Sequence, residues 1–426
     1  MSDRRVAITG LGLVTPCGEG WMPYWKAVLE GESSIRPISG FPVNGFPVKF
    51  AGEISGFNPA KYARQRKSLK LMSREIQLAI AASGLAIEDA GLRLESVDRT
   101  RFGISLGVGI INNDLDEVGV AIRSALDDQG HFQIRKFGQE GIRSLYPLWL
   151  LKYMPNMPAC HVSIAYGLRG ASNTITTSAA AGAQAVGEAY QVIQRGDADL
   201  MLAGGSDSKI NAMGISRFHL LGLLSYYERG YCPFDERHDG MVLGEGSGIL
   251  VLEDWEHAKA RGARIYGEIV GYGSSSDYNY DPRSTDDFNG KRLAMLFALR
   301  DAQTGPEDVD FLLANGSGIP SEDIQEARAV QSVFENFTSR LQVTATKPIT
   351  GHLVYGAGGV EIAAALLSLE YSVIPPIAKL EKPDPECDLP FVKTAPQTLK
   401  AKTFLFNSFG FGGQNASVVV RKECAP

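Results

Sequence analysis

The 426-residue chain has few of the residues from which cofactor and metal sites are built. Its five cysteines, at 17, 160, 232, 387 and 424, include no C-x-x-C pair. The six histidines show no HExxH or other metal-ligand spacing, so no metal is expected. An odd, unpaired cysteine set points to a reduced, cytoplasmic protein. No apolar run approaches the ~18 residues of a membrane span. The N-terminus passes directly into the strand-like Val6-Ala-Ile-Thr-Gly10, where no signal peptide is read. The net charge of -6 gives no global reason to expect nucleic-acid binding. Gly10-Leu-Gly12 lacks the third glycine of a dinucleotide fingerprint and is read as a structural turn.

What is present is ordinary soluble composition, 44% hydrophobic and 21% charged, enough for a large core. The organising stretch runs from Asn173 to Gly205. Asn173-Thr-Ile-Thr-Thr reads as a buried strand, and small residues crowd the turn from Ser178 to Gly182. Ala183, Val186, Tyr190 and Ile193 then recur at helical spacing, and Gly196 falls where the helix would end. A strand turning sharply into a helix presents one side chain beside unpaired backbone N–H groups, where a nucleophile of lowered pKa belongs. This elbow offers only Ser178 and alanines.

Along the chain, Arg4–Val14 and Phe102–Gly107 read as strands and Ser73–Leu92 as a helix. Lys61 to Arg74 holds six basic residues, including Lys67 and Lys70, and reads either as a solvated helix face or as a docking patch for an acidic partner. The stretch from Asn112 to Met157 is irregular and aromatic, a candidate cap over an apolar ligand. From Ile265 the order of elements repeats. Ile265–Gly273, Lys291–Ala302, Val309–Asn315, a strand–turn–helix from Val343 to Leu369, and Thr403–Asn407 follow in turn. This predicts a duplicated α/β chain, residues 1–255 and 256–426, with both sheet faces covered by helices.

The residues then match a family. Thr9-Gly-Leu-Gly12, Tyr166-Gly-Leu-Arg-Gly170, Gly196-Asp-Ala-Asp199, Ala203-Gly-Gly205, Pro233-Phe-Asp235, Leu243-Gly-Glu-Gly246, Lys347, Thr350-Gly-His352, Glu361 and Asn407-Ser-Phe-Gly-Phe-Gly-Gly413 stand in order over nearly the whole length. The chain resembles the β-ketoacyl-acyl-carrier-protein synthases, the elongating ketosynthases of the thiolase-like superfamily. The resemblance implies a five-layered α-β-α-β-α fold, a dimer whose interface runs beside the elbow, and decarboxylative Claisen condensation of carrier-bound acyl chains. It places the second catalytic histidine on His352, its lysine partner on Lys347 and the following glutamate on Glu361. The gating loop falls on Phe409, Phe411 and Gly412, with an oxyanion hole from the N–H groups of Ala179 and Phe411. Lys67 and Lys70 fall where the family docks acyl carrier protein. That partner brings the only prosthetic group expected, phosphopantetheine.

Two positions depart from the pattern. The family's catalytic cysteine falls on Ala179, and its first catalytic histidine is placed on Ser317. Alanine has no lone pair with which to attack a thioester. Three readings follow. The chain is a non-condensing subunit similar to the chain-length factors of type II polyketide synthases, paired as a heterodimer with a cysteine-bearing ketosynthase; Gly316-Ser-Gly-Ile-Pro-x-x-Asp-x-x-Glu326 resembles the corresponding run in those chains. Alternatively it is an active synthase, as homodimer, carrying an engineered Cys→Ala change. The third reading is a malonyl-carrier-protein decarboxylase.

Overall fold

The computed structural model describes residues 4–226, 231–278, 285 and 287–422; Cys424 lies outside them. Ten strands form one hydrogen-bonded path. In the first half these are β1 (Val6–Thr15), β2 (Phe102–Gly107), β3 (Ser172–Ile175), β4 (Leu200–Ser208) and β5 (Glu245–Asp254). In the second they are β6 (Gly267–Ser276), β7 (Phe311–Leu313), β8 (Gln342–Thr344), β9 (Thr403–Phe409) and β10 (Gln414–Arg421). The spatial order is β3-β2-β4-β5-β1 and then, across a β1–β6 seam, β6-β10-β9-β7-β8. Each half therefore has the same order and the same pairing. Its outer three strands are parallel, and the two next to the seam join antiparallel. At the seam Val6 faces Ile269 and Ile8 faces Gly267.

Six helices complete the layers: α1 (Arg74–Asp89), α2 (Met157–Tyr166), α3 (Ala181–Gln194), α4 (Asn289–Asp301), α5 (Pro320–Phe334) and α6 (Ala357–Tyr371). The central pair is α3 and α6. The first packs on β4 and β2 and reaches β10; the second packs on β5 and β4 and reaches β9. Both are apolar or small nearly all round, as a helix covered on every side must be. Outside, α1 covers β1, β5 and β4 with α2 beside it, while α4 covers β6 and β10 with α5 beside it. The result is the five-layered α-β-α-β-α thiolase-like arrangement.

Gly10-Leu-Gly12 is not a turn. It lies in the middle of β1, where α1 comes so close that a Cβ on Gly12 would lie 1.9 Å from the Ala82 carbonyl and one on Gly10 2.4 Å from that of Ala86. The second half repeats the device. A Cβ on Gly271 or Gly273 of β6 would lie 2.3 and 2.2 Å from the Ala298 and Ala294 carbonyls of α4. The two glycine pairs set the distance between outer helix and sheet in both halves.

The segment between β2 and α2 holds short helical pieces, among them 115–124 and 149–153. Its aromatics do not form one lining. Tyr153 is buried, while Phe132 and Tyr146 are half exposed.

Candidate functional site

The fold brings the strand–turn–helix of each half to one place. The N-termini of α3 and α6 meet with Gly182 against Gly358; a Cβ on Gly358 would lie 2.5 Å from the backbone nitrogen of Ala183. Above this crossing lie the turn before α3, the segment before α6, and the loop between β9 and β10.

The turn before α3 is the elbow. After β3 the chain tightens into a single helical turn, Ser178–Ala180, and Ser178 takes φ 58°. Non-glycine residues rarely enter that left-handed region, and such strain clusters at functional turns. Ala179 follows, fully buried. Its carbonyl accepts the Ser408 hydroxyl at 3.0 Å, which ties the elbow to β9. The loop Gly410–Gly413 crosses directly overhead: a Cβ on Gly410 would lie 2.8 Å from the Thr177 carbonyl and 3.5 Å from the Ser178 Cβ.

That loop carries Phe411, half buried, with its ring 5.3 Å from the His352 ring and 6.1 Å from that of Phe218. Phe409 lies buried below it, and Gly412 is exposed beside it. Of these three residues, Phe411 is the one whose ring packs against His352.

His352 is fully buried, with its backbone held by Val242 and Gly244. Its Nδ1 accepts the Val354 N–H at 3.0 Å. An accepting Nδ1 assigns the proton of the neutral ring to Nε2. Among the described residues that Nε2 has no partner. Burial, and then the Lys347 charge, hold the imidazole well below its ordinary pKa, so the neutral form persists. The site thus keeps one buried N–H donor.

Lys347 is buried and forms a 2.7 Å ion pair with buried Glu361 on α6. Burial raises the Glu361 carboxyl above its ordinary range, and Lys347 opposes that shift. The ammonium also donates to the Asn315 backbone carbonyl at 2.5 Å and to its Oδ1 at 3.3 Å. Asn315 Oδ1 further accepts the Phe409 N–H at 3.3 Å.

This last contact corrects the placement of the first polar residue. Ser317 is buried, but its hydroxyl donates to Asp323 Oδ1 at 3.3 Å and accepts the Ile319 N–H at 3.2 Å. It is engaged in fastening its own loop. The side chain delivered to Lys347 and the gating strand is Asn315, two residues earlier. Glu326 on α5 fixes that position: its two oxygens accept the N–H groups of Asn315 and Gly316 at 2.8 and 2.9 Å, and it also accepts the Asn407 amide. Burial pushes the Glu326 carboxyl up to about 7. The sequence signal for Asn315 was the Asp323 and Glu326 spacing, counted back to the residue that leaves β7.

The basic run divides. Lys61 pairs with Glu19 at 2.8 Å and Arg74 with Glu245 at 2.9 Å. Lys67 and Lys70 are exposed on a short helical turn, Arg66–Leu71, and have no ion-pair partner among the described residues. The run is thus not one helix face, and the two lysines are separate from the Lys347 cluster.

Chemically the site holds a buried N–H donor, a lysine–glutamate pair and the Phe411 ring around an elbow. It holds no nucleophilic side chain at Ala179. No group of three or more metal-binding side chains occurs among the described residues, and no described helix is long and apolar enough to cross a membrane.

Comparison with known proteins places the chain in one family. Residues 3–258 match the "Beta-ketoacyl synthase, N-terminal domain" and residues 266–381 the "Beta-ketoacyl synthase, C-terminal domain". The chain is 35% identical to a 3-oxoacyl-[acyl-carrier-protein] synthase 2 from Synechocystis sp. and 36% identical to one from Vibrio harveyi, over 99% of each chain. Among solved structures, the ishigamide ketosynthase/chain length factor superposes with a TM-score of 0.88 at 28% identity, covering 99% of this chain and all of that one. A type II polyketide ketosynthase bound to its acyl-carrier protein superposes with a TM-score of 0.84 at 30% identity, with 99% and 100% covered.

Proposed function

The chain belongs to the β-ketoacyl synthase family, and on that basis we propose that it is a non-condensing subunit of carrier-protein-bound chain elongation, similar to a chain-length factor. The observation that carries this reading is the pairing of a complete receiving site with an elbow that has only a methyl group. Ala179 occupies the position of the nucleophile. Asn315, not Ser317, occupies that of the first histidine; an amide donates and accepts hydrogen bonds but does not exchange a proton near neutrality. Two reacting groups are replaced together, whereas an engineered trap requires only the first. His352, Lys347, Glu361 and the Phe411 gate remain to hold an acyl carbonyl and the arm that carries it.

The partners follow from the surface. Lys67 and Lys70 dock an acidic acyl carrier protein, which supplies phosphopantetheine. A cysteine-bearing ketosynthase pairs along β3, the edge strand of its half, where Ser172 and Asn173 are exposed beside the elbow. The segment between β2 and α2 exposes Ile110, Leu115 and Ile134, apolar residues of the kind a partner covers. Within that dimer this chain shapes the space for the growing product and the partner performs the condensation.

The test is to read the codon for position 179 in the native gene, then to purify the chain alone and with the cysteine-bearing synthase encoded beside it. Alanine in the gene and a tight one-to-one complex support the proposal. Cysteine in the gene, with acylation of the chain alone, overturns it in favour of an active synthase.

A further inference from the structure

Two clefts lie side by side where the chain before α1 meets α2. One, of about 290 Å³, is lined by Met72, Ile80, His161, Ile164 and Ala165 among others. The other, of about 570 Å³, is lined by Arg64, Glu95, Arg99, Tyr166 and Arg169 among others. Arg64 and Ala165 line both. The Tyr166 hydroxyl, from the second cleft, donates to the Ile80 carbonyl, in the first, at 2.8 Å. That bond joins the walls of the two. Both volumes are close to or within the range of small-molecule pockets. Neither cleft is lined by Ala179, His352, Lys347, Glu361 or Phe411, so this is a place apart from the elbow.

The clefts differ in character. The first is largely apolar. Ile164 is 73% exposed on α2, an apolar side chain with little over it. Burial holds His161 below its ordinary pKa, so that wall carries no charge near neutrality. The second cleft is basic, with the guanidiniums of Arg64, Arg99 and Arg169 against the single carboxylate of Glu95. Arg99 is fixed in place. Its Nε donates to the Leu94 carbonyl at 2.7 Å, and one Nη donates to the Tyr166 carbonyl at the C-terminal end of α2. That contact also offsets the negative end of the helix dipole. Arg64 and Arg169 are exposed, and neither side chain has a hydrogen-bond or ion-pair partner among the described residues. Guanidiniums left unpaired around one cleft fit an anion, and their planar forks match phosphate oxygens two at a time.

We propose that the two clefts form one site for a soluble, single-chain phosphate monoester. The phosphate lies among Arg64, Arg99 and Arg169, and the alkyl part lies along Met72, Ile164 and Ala165. A phosphate monoester brings three terminal acceptor oxygens to the three arginines. Its alkyl chain takes the exposed Ile164 out of water. The site goes beyond the proposed function and does not depend on whether this chain condenses or pairs.

The test titrates the full chain calorimetrically with octyl phosphate below its micelle concentration, with inorganic phosphate, and with octanol. Octyl phosphate binds at least about tenfold tighter than either half alone, because it uses both clefts. Arg64→Ser and Arg169→Ser each weaken octyl phosphate about tenfold, the worth of one hydrogen bond to a charged group. Ile164→Ser weakens octyl phosphate and leaves inorganic phosphate unchanged. All three positions are at the surface, and each variant is checked for an unchanged melting temperature. Octyl phosphate binding no tighter than inorganic phosphate overturns the inference without the need of a variant. Binding that survives both arginine substitutions overturns it too. So does binding confined to vesicles of phosphatidylcholine with phosphatidic acid, which marks a membrane-facing patch instead. Each of these results leaves the proposed function standing, since no group at the elbow is touched.

Discussion

At the scale of single residues, the account turns on what positions 179 and 315 cannot do. Ala179 lies at the N-terminus of α3, where a thiol would be stabilised as thiolate by the helix dipole and the unpaired N–H groups. Ala179→Cys is therefore expected to be alkylated by iodoacetamide at least ~10-fold faster than the other cysteines, read by peptide mass spectrometry. It is not expected to condense, because Asn315 remains an amide. Ala179→Cys with Asn315→His is expected to give a measurable condensation product; no product from the double variant means that the site has lost more than these two groups. His352 supplies the pH dependence. Its folded pKa lies well below the ordinary imidazole value of 6.5, so its contribution to stability is complete above that value and is lost as pH falls through the folded pKa. The melting temperature is expected to decline as pH falls below 6.5, and His352→Asn to flatten that decline. An unchanged pH profile in the variant contradicts a buried neutral histidine. Much of this cluster was legible in the sequence, since Lys347, His352, Glu361 and Phe411 each stand in a distinctive local motif. Asn315 was less direct: its signal was the Asp323 and Glu326 spacing, and what that spacing means depends on Glu326 anchoring the loop through two backbone N–H groups.

At the scale of elements, the duplicated strand–helix contacts are the parts on which the site depends. Gly12 and Gly273 each let an outer helix rest directly on its strand. Alanine at either place overpacks backbone against backbone. Each substitution is expected to cost at least ~2 kcal/mol in urea unfolding, with Gly12→Ala and Gly273→Ala alike because the two contacts are copies. The sequence showed the strands and helices through their apolar runs and periodicity. It also suggested a turn at Gly10-Leu-Gly12, since glycine pairs mark turns as readily as close approaches; only the position of α1 distinguishes the two. The Lys347–Glu361 pair is the other element-scale contact, joining the segment before α6 to α6 itself. Lys347→Met leaves a buried carboxylate without its cation and is expected to cost about 3–5 kcal/mol. Adding Glu361→Leu is expected to recover part of that loss in a double-mutant cycle.

At the scale of the whole molecule, the repeated order of elements was the most legible feature, because each half must bury its sheet between helices and so repeats the same alternation. What the order alone left open was how the halves join. The β1–β6 seam and the α3–α6 crossing bring both strand–turn–helix units to one site. The surface carries the remaining prediction. Reversing Lys67 and Lys70 to glutamate is expected to weaken binding of acyl carrier protein about tenfold or more at low salt and to reduce the salt dependence of what remains, by surface plasmon resonance. The same variant is expected to leave pairing with the cysteine-bearing synthase unchanged, because the substitutions leave β3 itself untouched.

Intact-protein mass spectrometry of the native chain, alone and with that synthase, tests the central claim most directly. Both samples receive acyl-carrier protein and malonyl-carrier protein. The account predicts no acyl adduct on this chain in either sample, an adduct on the partner's cysteine in the mixed sample, and condensation product only there. An acyl adduct on this chain, at Ser178 or elsewhere, together with product from the chain alone, contradicts it.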